Sequence, residues 1–456
     1  MLKSNLSYLE PELMDVVRLF EGAQEFCIRH EAVCEEGVLR NTLWMDGQTF
    51  CRRDDVFWEN SLQEKSLVKR YAKLILYDAL AQRTGISLPW GALTGIRPTR
   101  LAYMQLEAGR SFRPLFHSMH VSQENTELVE RVIQGQRGIY ERREGNCDLF
   151  VSLPFCPTKC EYCSFITAPI AATRKYLPDY LATLEKELAA CAPLIGRLRS
   201  VYIGGGTPFA LEAEELDRVL AAIEPLRQNG CEYTVEAGRP DVFTGEKLEV
   251  CKRRGVTRIC INAQSFSDAT LARIGRKHTA QDVVNAFELA APYGFLVNCD
   301  LIAGLTGESY EEFCESIDRA IALSPENITV HTLCLKKGAR LKEETARLEE
   351  GDLSRMIAYS RIALTAAGYE PYYLYRQKYM AGSHENVGWT KKGCACVYNV
   401  DVMEEIADNL AVGANAVSKK LFHEGRIERH ASPKDIPTYL AKAEKLIAER
   451  ETLFRC

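Results

Sequence analysis

The chain has 456 residues, of which 46% are hydrophobic and 26% are charged, a composition typical of a globular protein with two or three domains. The formal net charge is -5, and the sequence has no basic tail or stripe of the kind found in nucleic-acid-binding proteins. The apolar stretches are shorter than the roughly 20 residues that cross a membrane. We therefore expect neither a nucleic-acid partner nor a membrane span.

The expected state of the 17 cysteines depends on whether the cellular compartment is oxidising or reducing. The first residues, MLKSNLSYLEPELMDVV, contain no apolar signal core, which predicts a cytoplasmic protein. Because the cytosol keeps thiols reduced, we expect no disulfide framework. Most of the cysteines should be buried free thiols, and a few could be ligands.

The N-terminal part of the chain, residues 1–145, is predicted to be an accessory α+β domain. Apolar side chains at helical spacing predict a long helix over residues 57–85, and a second helix is predicted over 122–143. The stretch between them, LPWGALTGIRPTRL, is rich in Gly, Pro and Arg. It is either a structured connector or a docking surface. The polar segment ERREGNCD marks the predicted domain boundary.

Residues 146–350 alternate short apolar strands with amphipathic helices. The six strands are predicted at LFVSLP, SVYIGGG, EYTVEAG, RICINAQS, FLVNCDLIAGL and NITVHTLCL. Such alternation is typical of parallel strand–helix–strand units, and hence of an α/β fold. Six units predict a partial (β/α)6 barrel resembling a TIM barrel, with a doubly wound sheet as the alternative. Residues 351–456 then form a C-terminal extension.

Three cysteines follow the first predicted strand, at positions 156, 160 and 163. The carboxyl end of a strand is the catalytic end of such folds. Structural zinc sites usually take four protein ligands as two pairs, and no second pair lies at a suitable distance. Cys394 and Cys396 are far along the chain and too closely spaced. An iron–sulfur cluster with one open iron suits three thiolates better.

Other strand ends also carry glycine or polar residues. These are Gly205, Gly206, Thr207, Glu236, Gln264 and Arg276. Glycines let a backbone approach a ligand closely, whereas an acidic residue at a strand end often only caps a helix. Asp300 lies inside the apolar fifth strand, where an unpaired charge would be unfavourable. The concentration of these groups at one edge of the sheet predicts a ligand site there.

The spacing Cys-x3-Cys-x2-Cys, with Tyr162 before the last cysteine, resembles that of the radical S-adenosylmethionine enzymes. In that family three cysteines hold a [4Fe–4S] cluster, and S-adenosylmethionine binds the fourth iron. The resemblance assigns one cluster to Cys156, Cys160 and Cys163. It implies that the following residues contact the cofactor: Phe150, Tyr162, Gly205, Gly206, Thr207, Glu236, Gln264, Arg276 and Asp300.

Longer segments resemble the anaerobic coproporphyrinogen III oxidases, or dehydrogenases, and specifically their HemZ-type branch. They include VTRICINAQSFSDATLARIGRKHT, WGALTGIRPTRL, YLYRQKYMAGSHENVG and CVYNVDVMEEIADNLAVGANAVSK. The resemblance implies oxidative decarboxylation of coproporphyrinogen III to protoporphyrinogen IX in haem biosynthesis. The implied partners are this tetrapyrrole and an electron donor such as flavodoxin or ferredoxin.

Two alternative functions remain at this point. Phe150 stands where a cofactor-stacking Tyr is common, and Ser152 replaces the usual His. Cys163 is followed by Ser164 and Phe165, whereas the oxidases carry another cysteine two residues after the last cluster ligand. The related haem chaperones share this shorter cysteine pattern, so a haem-binding chaperone is one alternative. A radical enzyme acting on another tetrapyrrole is the other.

The substrate implied by the resemblance carries four carboxylates, which need cations. The candidate cations are Arg239, Lys277, Lys336, Lys337, Arg376 and Lys378, although each could be an ordinary surface charge. We expect the C-terminal extension to cover the substrate site.

Overall fold

The chain folds into two compact units. In the computed structural model, the first unit comprises Met1–Glu130 and Tyr375–Glu385, and the second comprises Arg131–Leu374 and Asn386–Cys456. The structure describes residues 2–20, 22–95, 97–165, 167–334, 350–377 and 384–455. Lys336, Lys337 and Lys378 lie outside the described residues. The domain boundaries predicted at residues 145 and 350 remain predictions.

The first unit contains a four-stranded sheet and several helices. Its strands are β1 (Leu2–Ser4), β2 (Ile28–Glu35), β3 (Val38–Met45) and β4 (Gln48–Asp55). Its helices are α1 (Glu10–Val17), α2 (Ser61–Thr84), α3 (Pro98–Glu107), α4 (Arg113–Ser118) and most of α5 (Gln123–Gly135). β1 pairs with β2 in parallel, whereas the other neighbours are antiparallel. Helix α5 ends earlier than predicted, before Gly138, whose φ of 85° a right-handed helix cannot accommodate.

Helix α2, the long helix predicted from periodicity, begins at a side-chain cap. The Asn60 side-chain oxygen accepts hydrogen bonds from the N–H groups of Leu62 and Gln63, at 3.1 and 3.0 Å. We expect Asn60→Ala to lower the free energy of unfolding by about 1 kcal/mol, because these N–H groups lose their partner. Urea denaturation followed by circular dichroism measures the change. Asn60→Ser keeps a capping oxygen and should retain stability, so equal losses in both variants would contradict the capping role.

The second unit contains an eleven-stranded sheet and a separate two-stranded sheet. Its strands are β5 (Asn146–Leu153), β6 (Phe155–Cys156), β7 (Ala168–Pro169), β8 (Arg197–Gly205), β9 (Glu232–Gly238), β10 (Arg258–Ile261), β11 (Leu296–Ala303), β12 (Asn327–Thr332), β13 (Glu370–Tyr375), β14 (Asn386–Thr390), β15 (Asp408–Val412), β16 (Val417–Leu421) and β17 (Ile427–Ala431). Its helices are α6 (Ile170–Thr173), α7 (Leu177–Cys191), α8 (Ala213–Ile223), α9 (Gly245–Arg253), α10 (Asp268–Arg273), α11 (Ala280–Ala290), α12 (Tyr310–Leu323), α13 (Glu350–Ala366), α14 (Val397–Glu404), α15 (Ile436–Ala441) and α16 (Ala443–Arg455).

The six predicted strands lie side by side in chain order. β5, β8, β9, β10, β11 and β12 are neighbours, and every pair is parallel. A doubly wound sheet reverses its strand order at an internal switch point, and this series has no reversal. The fold is therefore the predicted α/β partial barrel, and the doubly wound alternative is wrong.

The C-terminal part of the chain adds strands to both edges of this sheet. The full order is β13-β14-β12-β11-β10-β9-β8-β5-β15-β16-β17. β14 runs antiparallel to β12, and β15 runs parallel to β5. The segment predicted as an extension thus continues the barrel sheet itself. Its role in covering a substrate remains a prediction.

Along the strands β5 and β8, apolar side chains alternate with side chains of the candidate site. Leu149 and Val151 of β5 and Ile203 of β8 are fully buried on one face of the sheet, here called the outer face. Because successive side chains point to opposite faces, Phe150 and Tyr202 lie on the other face, here called the inner face. This alternation separates the apolar core from the candidate site.

The thiols and the helices of the described residues have one further property each. Every cysteine among the described residues is a free thiol. None of the helices in the described ranges is long and apolar enough to cross a lipid bilayer.

Candidate active site

The three cysteines lie in a loop that is closed at its base. β6 pairs with β7, and the Ala168 N–H donates to the Pro154 carbonyl at 2.9 Å. Within the loop, the Cys163 N–H donates to the Cys160 carbonyl at 3.2 Å. The Thr207 hydroxyl donates to the sulfur of Cys156 at 3.6 Å. The loop therefore holds its thiols next to the glycine segment at the end of β8.

The surroundings of these thiols fit a positively charged metal cluster. Burial raises the pKa of the Cys163 thiol to about 11, and the charges of Cys160 and Cys156 add to this. Burial also raises the pKa of Cys156. Three thiolates so close together repel each other unless a cation neutralises them. Iron would supply that charge.

The spacing of the thiols also has to suit the kind of metal group. No set of three His, Cys, Asp or Glu side chains within the described ranges is compact enough to hold a single metal ion. In a [4Fe–4S] cluster each cysteine binds a different iron, so the sulfurs stand farther apart than around one ion. Three thiolates are the ligand set of a cluster with one open iron, as the sequence predicts. The assignment of the three ligands remains a prediction.

The glycine segment packs against the chain that carries the cysteines. A Cβ atom added at Gly206 would lie 2.6 Å from the Leu153 carbonyl oxygen, too close for any side chain. Gly205 has a φ of 95°, which glycine adopts without strain. The Thr207 N–H donates to the Phe155 carbonyl at 2.7 Å. The fold itself thus requires glycine at Gly206, independently of any contact with a ligand.

Tyr162 and Arg276 join the cysteine loop to the loop after α10. Arg276 Nη2 donates to the Tyr162 hydroxyl at 2.8 Å, and its Nη1 donates to the Asn262 carbonyl at 2.9 Å. The Glu161 N–H donates to the Ile274 carbonyl at 3.0 Å. The Tyr162 ring packs against an apolar cluster that includes Ile274. In this structure both side chains fix the position of the cysteine loop, and their predicted cofactor contacts stay untested.

Glu236 and Asp300 form a carboxyl pair on the inner face. Burial and the charge of Asp300 raise the pKa of Glu236 to about 8, although the Gly205 N–H opposes this shift. Burial alone would raise the pKa of Asp300, but the nearby His331 imidazole and the hydrogen bond from the Asn298 amide hold it below its ordinary value. At neutral pH the pair therefore carries one proton, on Glu236, and one negative charge, on Asp300.

Asn298 and His331 are site residues that the sequence reasoning missed. Asn298 Nδ2 donates to Asp300 Oδ1 at 2.7 Å, and His331 Nε2 lies 3.8 Å from Asp300 Oδ2. Asn298 is two residues before Asp300 on β11, so the strand period of two places it on the same face. That signal was available from sequence. The position of His331 on the neighbouring strand required the sheet order.

Gln264 connects the end of β10 to β11. Its N–H donates to the Asp300 carbonyl at 2.8 Å, and its own carbonyl accepts from the Ile302 N–H at 3.0 Å. Its φ is 68°, in the left-handed region that a non-glycine residue rarely adopts. Its buried side-chain oxygen has no hydrogen-bond partner among the described residues. A strained backbone and an available acceptor indicate a binding role.

Comparison with known proteins shows the family to which this site belongs. Residues 150–320 match the Radical SAM superfamily. The oxygen-independent coproporphyrinogen-III oxidase-like protein HemZ of Bacillus subtilis (strain 168) is 34% identical over 420 residues, which cover 86% of this chain and 83% of the relative. The chain belongs to the radical SAM superfamily.

Two further known proteins are similar to this radical SAM protein. The heme chaperone HemW of Haemophilus influenzae is 30% identical over 314 residues, covering 66% of this chain and 77% of that protein. The structure of coproporphyrinogen III oxidase (HemN) from Escherichia coli matches with a TM-score of 0.54 and 20% identity, covering 71% and 73% of the two chains. The structural match supports the fold alone. Radical SAM proteins use a [4Fe–4S] cluster and S-adenosylmethionine, as the sequence resemblance implied.

In this radical SAM protein three aromatic rings lie together on the inner face and form what is here called the aromatic layer. The rings of Tyr202 and Tyr398 are nearly parallel, with centroids 4.5 Å apart. The Phe150 ring stacks near both, at 6.3 and 6.2 Å. Tyr398 belongs to α14 and was not predicted as a site residue, although it lies in a segment that resembles the HemZ-type branch. The layer provides a flat, partly apolar surface on the inner face.

The side chains predicted to bind the substrate carboxylates differ in their burial and in their partners. Arg239 is almost fully buried and pairs with Asp241 at 2.6 Å. Arg376, in the first unit, donates to the Leu93 carbonyl and lies over the Trp90 ring. Both guanidinium groups therefore serve the protein's own structure. Lys277 is exposed.

Proposed function

We propose that this radical SAM protein catalyses the oxygen-independent oxidative decarboxylation of coproporphyrinogen III to protoporphyrinogen IX. The similarity to HemZ, described as coproporphyrinogen-III oxidase-like, carries the proposal because it extends over 86% of this chain. Similarity to the heme chaperone HemW of Haemophilus influenzae covers 66%. The reaction would take place in the cytoplasm, with flavodoxin or ferredoxin as the electron donor.

The site residues would hold the cofactors in fixed positions. The cluster and S-adenosylmethionine, when bound, supply the hydrogen-abstraction chemistry that side chains cannot perform. Cys156, Cys160 and Cys163 would hold the cluster. Asp300 keeps its negative charge on the inner face and can accept hydrogen bonds from ribose hydroxyls, whereas protonated Glu236 can donate one. The protein's task is thus to orient the reactants and to exclude water.

The aromatic layer supports a tetrapyrrole as the substrate. A macrocycle has flat apolar faces, and parallel aromatic rings offer a matching surface. The rings of Phe150, Tyr202 and Tyr398 are only partly buried, so part of this surface is open to the interior of the barrel. Lys277 could contact a propionate, because it is exposed and follows the cofactor residue Arg276 directly.

A haem-binding chaperone is the second candidate function. Curated relatives that match this chain are named heme chaperone, and the chain has Phe165, not a cysteine, two residues after Cys163. A chaperone would need the cluster and a tetrapyrrole surface, but no decarboxylation. A radical enzyme acting on another tetrapyrrole would share the same site.

An anaerobic assay of the reconstituted full chain tests the proposal. We expect coproporphyrinogen III, S-adenosylmethionine, a reductant and a one-electron acceptor to yield protoporphyrinogen IX, 5′-deoxyadenosine and carbon dioxide together, the acceptor taking the electron left after each decarboxylation. Chromatography of the porphyrins and nucleosides measures the products. Formation of 5′-deoxyadenosine should depend on the tetrapyrrole, because binding of both reactants precedes productive chemistry.

The same assay separates the enzyme from the chaperone. Incubation without S-adenosylmethionine is the control and should give no decarboxylated porphyrin. Tight haem binding, with cofactor cleavage that is independent of coproporphyrinogen III and no decarboxylated product, would refute the oxidase and support the chaperone.

A further inference from the structure

The stretch LPWGALTGIRPTRL, which leads from α2 into α3 in the first unit, begins as a buried and anchored segment. Trp90 is fully buried, and its Nε1 donates to Glu385 Oε2 at 2.8 Å. The Leu93 carbonyl accepts a hydrogen bond from Arg376, whose guanidinium lies over the Trp90 ring. The first half of the stretch is thus a structured connector, and it fixes the point from which the chain enters α3.

Helix α3 begins with an unusual distribution of charge. Its first residue is Pro98, and the preceding Arg97 provides no side-chain cap. The N–H groups of a first helical turn have no partner within the helix, so those of Thr99 and Arg100 remain available. The first turn contains no acidic residue. Because a helix N-terminus carries a partial positive charge, arginines beside it are unfavourable unless an anion is bound there.

Three side-chain atoms of the same stretch are buried without a hydrogen-bond partner among the described residues. They are Thr94 Oγ1, Thr99 Oγ1 and Arg100 Nη1, and each of them can donate a hydrogen bond. Thr99 is 0% exposed. Side chains of a helix tilt toward its N-terminus, so the donors of Thr99 and Arg100 point to the same end as the available N–H groups. Burying such donors without an acceptor is unfavourable, which points to a bound acceptor.

We propose that the start of α3 binds a phosphate group through the hydroxyls of Thr94 and Thr99 and the guanidinium of Arg100. The first N–H groups of the helix complete the site, and the helix dipole favours the negative charge. A phosphate has more acceptor oxygens than a carboxylate and therefore satisfies more of these donors. The site lies in the first unit and uses none of the residues assigned to the cluster, S-adenosylmethionine or the tetrapyrrole. It therefore goes beyond the proposed function and does not depend on it.

Equilibrium dialysis of the anaerobically reconstituted full chain with radiolabelled inorganic phosphate tests the site. We expect saturable binding to the wild type. Arg100→Met keeps the aliphatic stem but removes the guanidinium, and should weaken binding about tenfold or more. Arg110→Met is the matched control, because the exposed Arg110 follows the opposite end of the same helix. It should bind phosphate as wild type does.

Thr99→Val separates a binding role from a structural one. Valine has nearly the shape of threonine, and the hydroxyl that it lacks has no partner in the described part of the chain. Without phosphate the variant should therefore be at least as stable as wild type in urea denaturation. It should bind phosphate roughly three- to tenfold more weakly, because one neutral hydrogen bond is lost. Lower stability with unchanged phosphate binding would show that the hydroxyl is structural and would contradict the site.

Competition experiments identify the ligand. Propionate at equal ionic strength should not displace the labelled phosphate, and displacement as effective as that by unlabelled phosphate would overturn the phosphate assignment in favour of a carboxylate. Adenosine monophosphate should displace the label better than phosphate does if the natural ligand is a nucleotide, and less well if it is the free ion. Absence of binding to wild type, or equal binding by wild type and Arg100→Met, would overturn the site. Neither result affects the decarboxylation assay.

Discussion

Joint replacement of Cys156, Cys160 and Cys163 by alanine is expected to abolish the iron–sulfur cluster. The wild-type protein, reconstituted anaerobically, should hold about four irons and four sulfides per chain and absorb broadly near ~400 nm. The three thiols are the cysteines gathered in the loop between β6 and β7. Without them no thiolate remains at this strand end to bind iron. Iron and sulfide analysis together with the absorbance spectrum measures the loss.

The second group of cysteines provides the control for this experiment. The Cys396 thiol donates to Glu232 Oε1 at 3.1 Å, and Cys394 contacts the Lys392 carbonyl. Both thiols thus have protein partners and no predicted role in the cluster. Joint replacement of Cys394 and Cys396 by alanine should leave the iron content unchanged. If this pair proved necessary for iron, the ligand assignment would be wrong.

Asp300→Asn is expected to weaken S-adenosylmethionine binding about 10- to 100-fold. The substitution nearly keeps the shape of the side chain but removes its charge. A charge-assisted hydrogen bond contributes roughly 1.5–3 kcal/mol, and the neutral amide replaces it only in part. Asn298 Nδ2 donates to the same carboxylate and would face an amide in the variant. Equilibrium dialysis with labelled cofactor measures the affinity, and thermal unfolding measures stability.

A matched carboxylate elsewhere in the sheet controls for general effects of charge removal. Asp408 on β15 pairs with Lys420 at 2.8 Å and accepts from the Leu421 N–H at 2.8 Å. Asp408→Asn should leave cofactor affinity unchanged. Unchanged affinity together with a lower melting temperature in Asp300→Asn would show that Asp300 is only a structural carboxylate.

Local signals in the sequence predicted individual elements well. The predicted strand EYTVEAG coincides with β9, and α12 is the amphipathic helix expected between the fifth and sixth predicted strands. Helix α12 begins at a capping box in which the side chains of Ser309 and Glu312 each bind the other residue's backbone N–H. Such signals act over a few residues and are therefore visible without the fold.

Non-local contacts explain what the sequence did not reveal. His331 approaches Asp300 only because β12 is the neighbour of β11, and Tyr398 reaches Tyr202 from a helix far along the chain. Arg239 was a candidate for substrate carboxylates, but the structure pairs it with Asp241. No local pattern specifies such pairings, because they depend on the order of the strands in the sheet and on contacts between residues far apart in the chain.

The sequence by itself determined the family motif, the six strand–helix units and most of the residues at the strand ends. These follow from spacing and periodicity, since parallel strands bring their carboxyl ends to one edge. Only the tertiary structure decided that the C-terminal strands extend both edges of the sheet, and that the segment after β10 is hydrogen-bonded both to Gly238 and to Asp300. It also decided the protonation of that pair, because burial and the distance between two charges are properties of the folded chain.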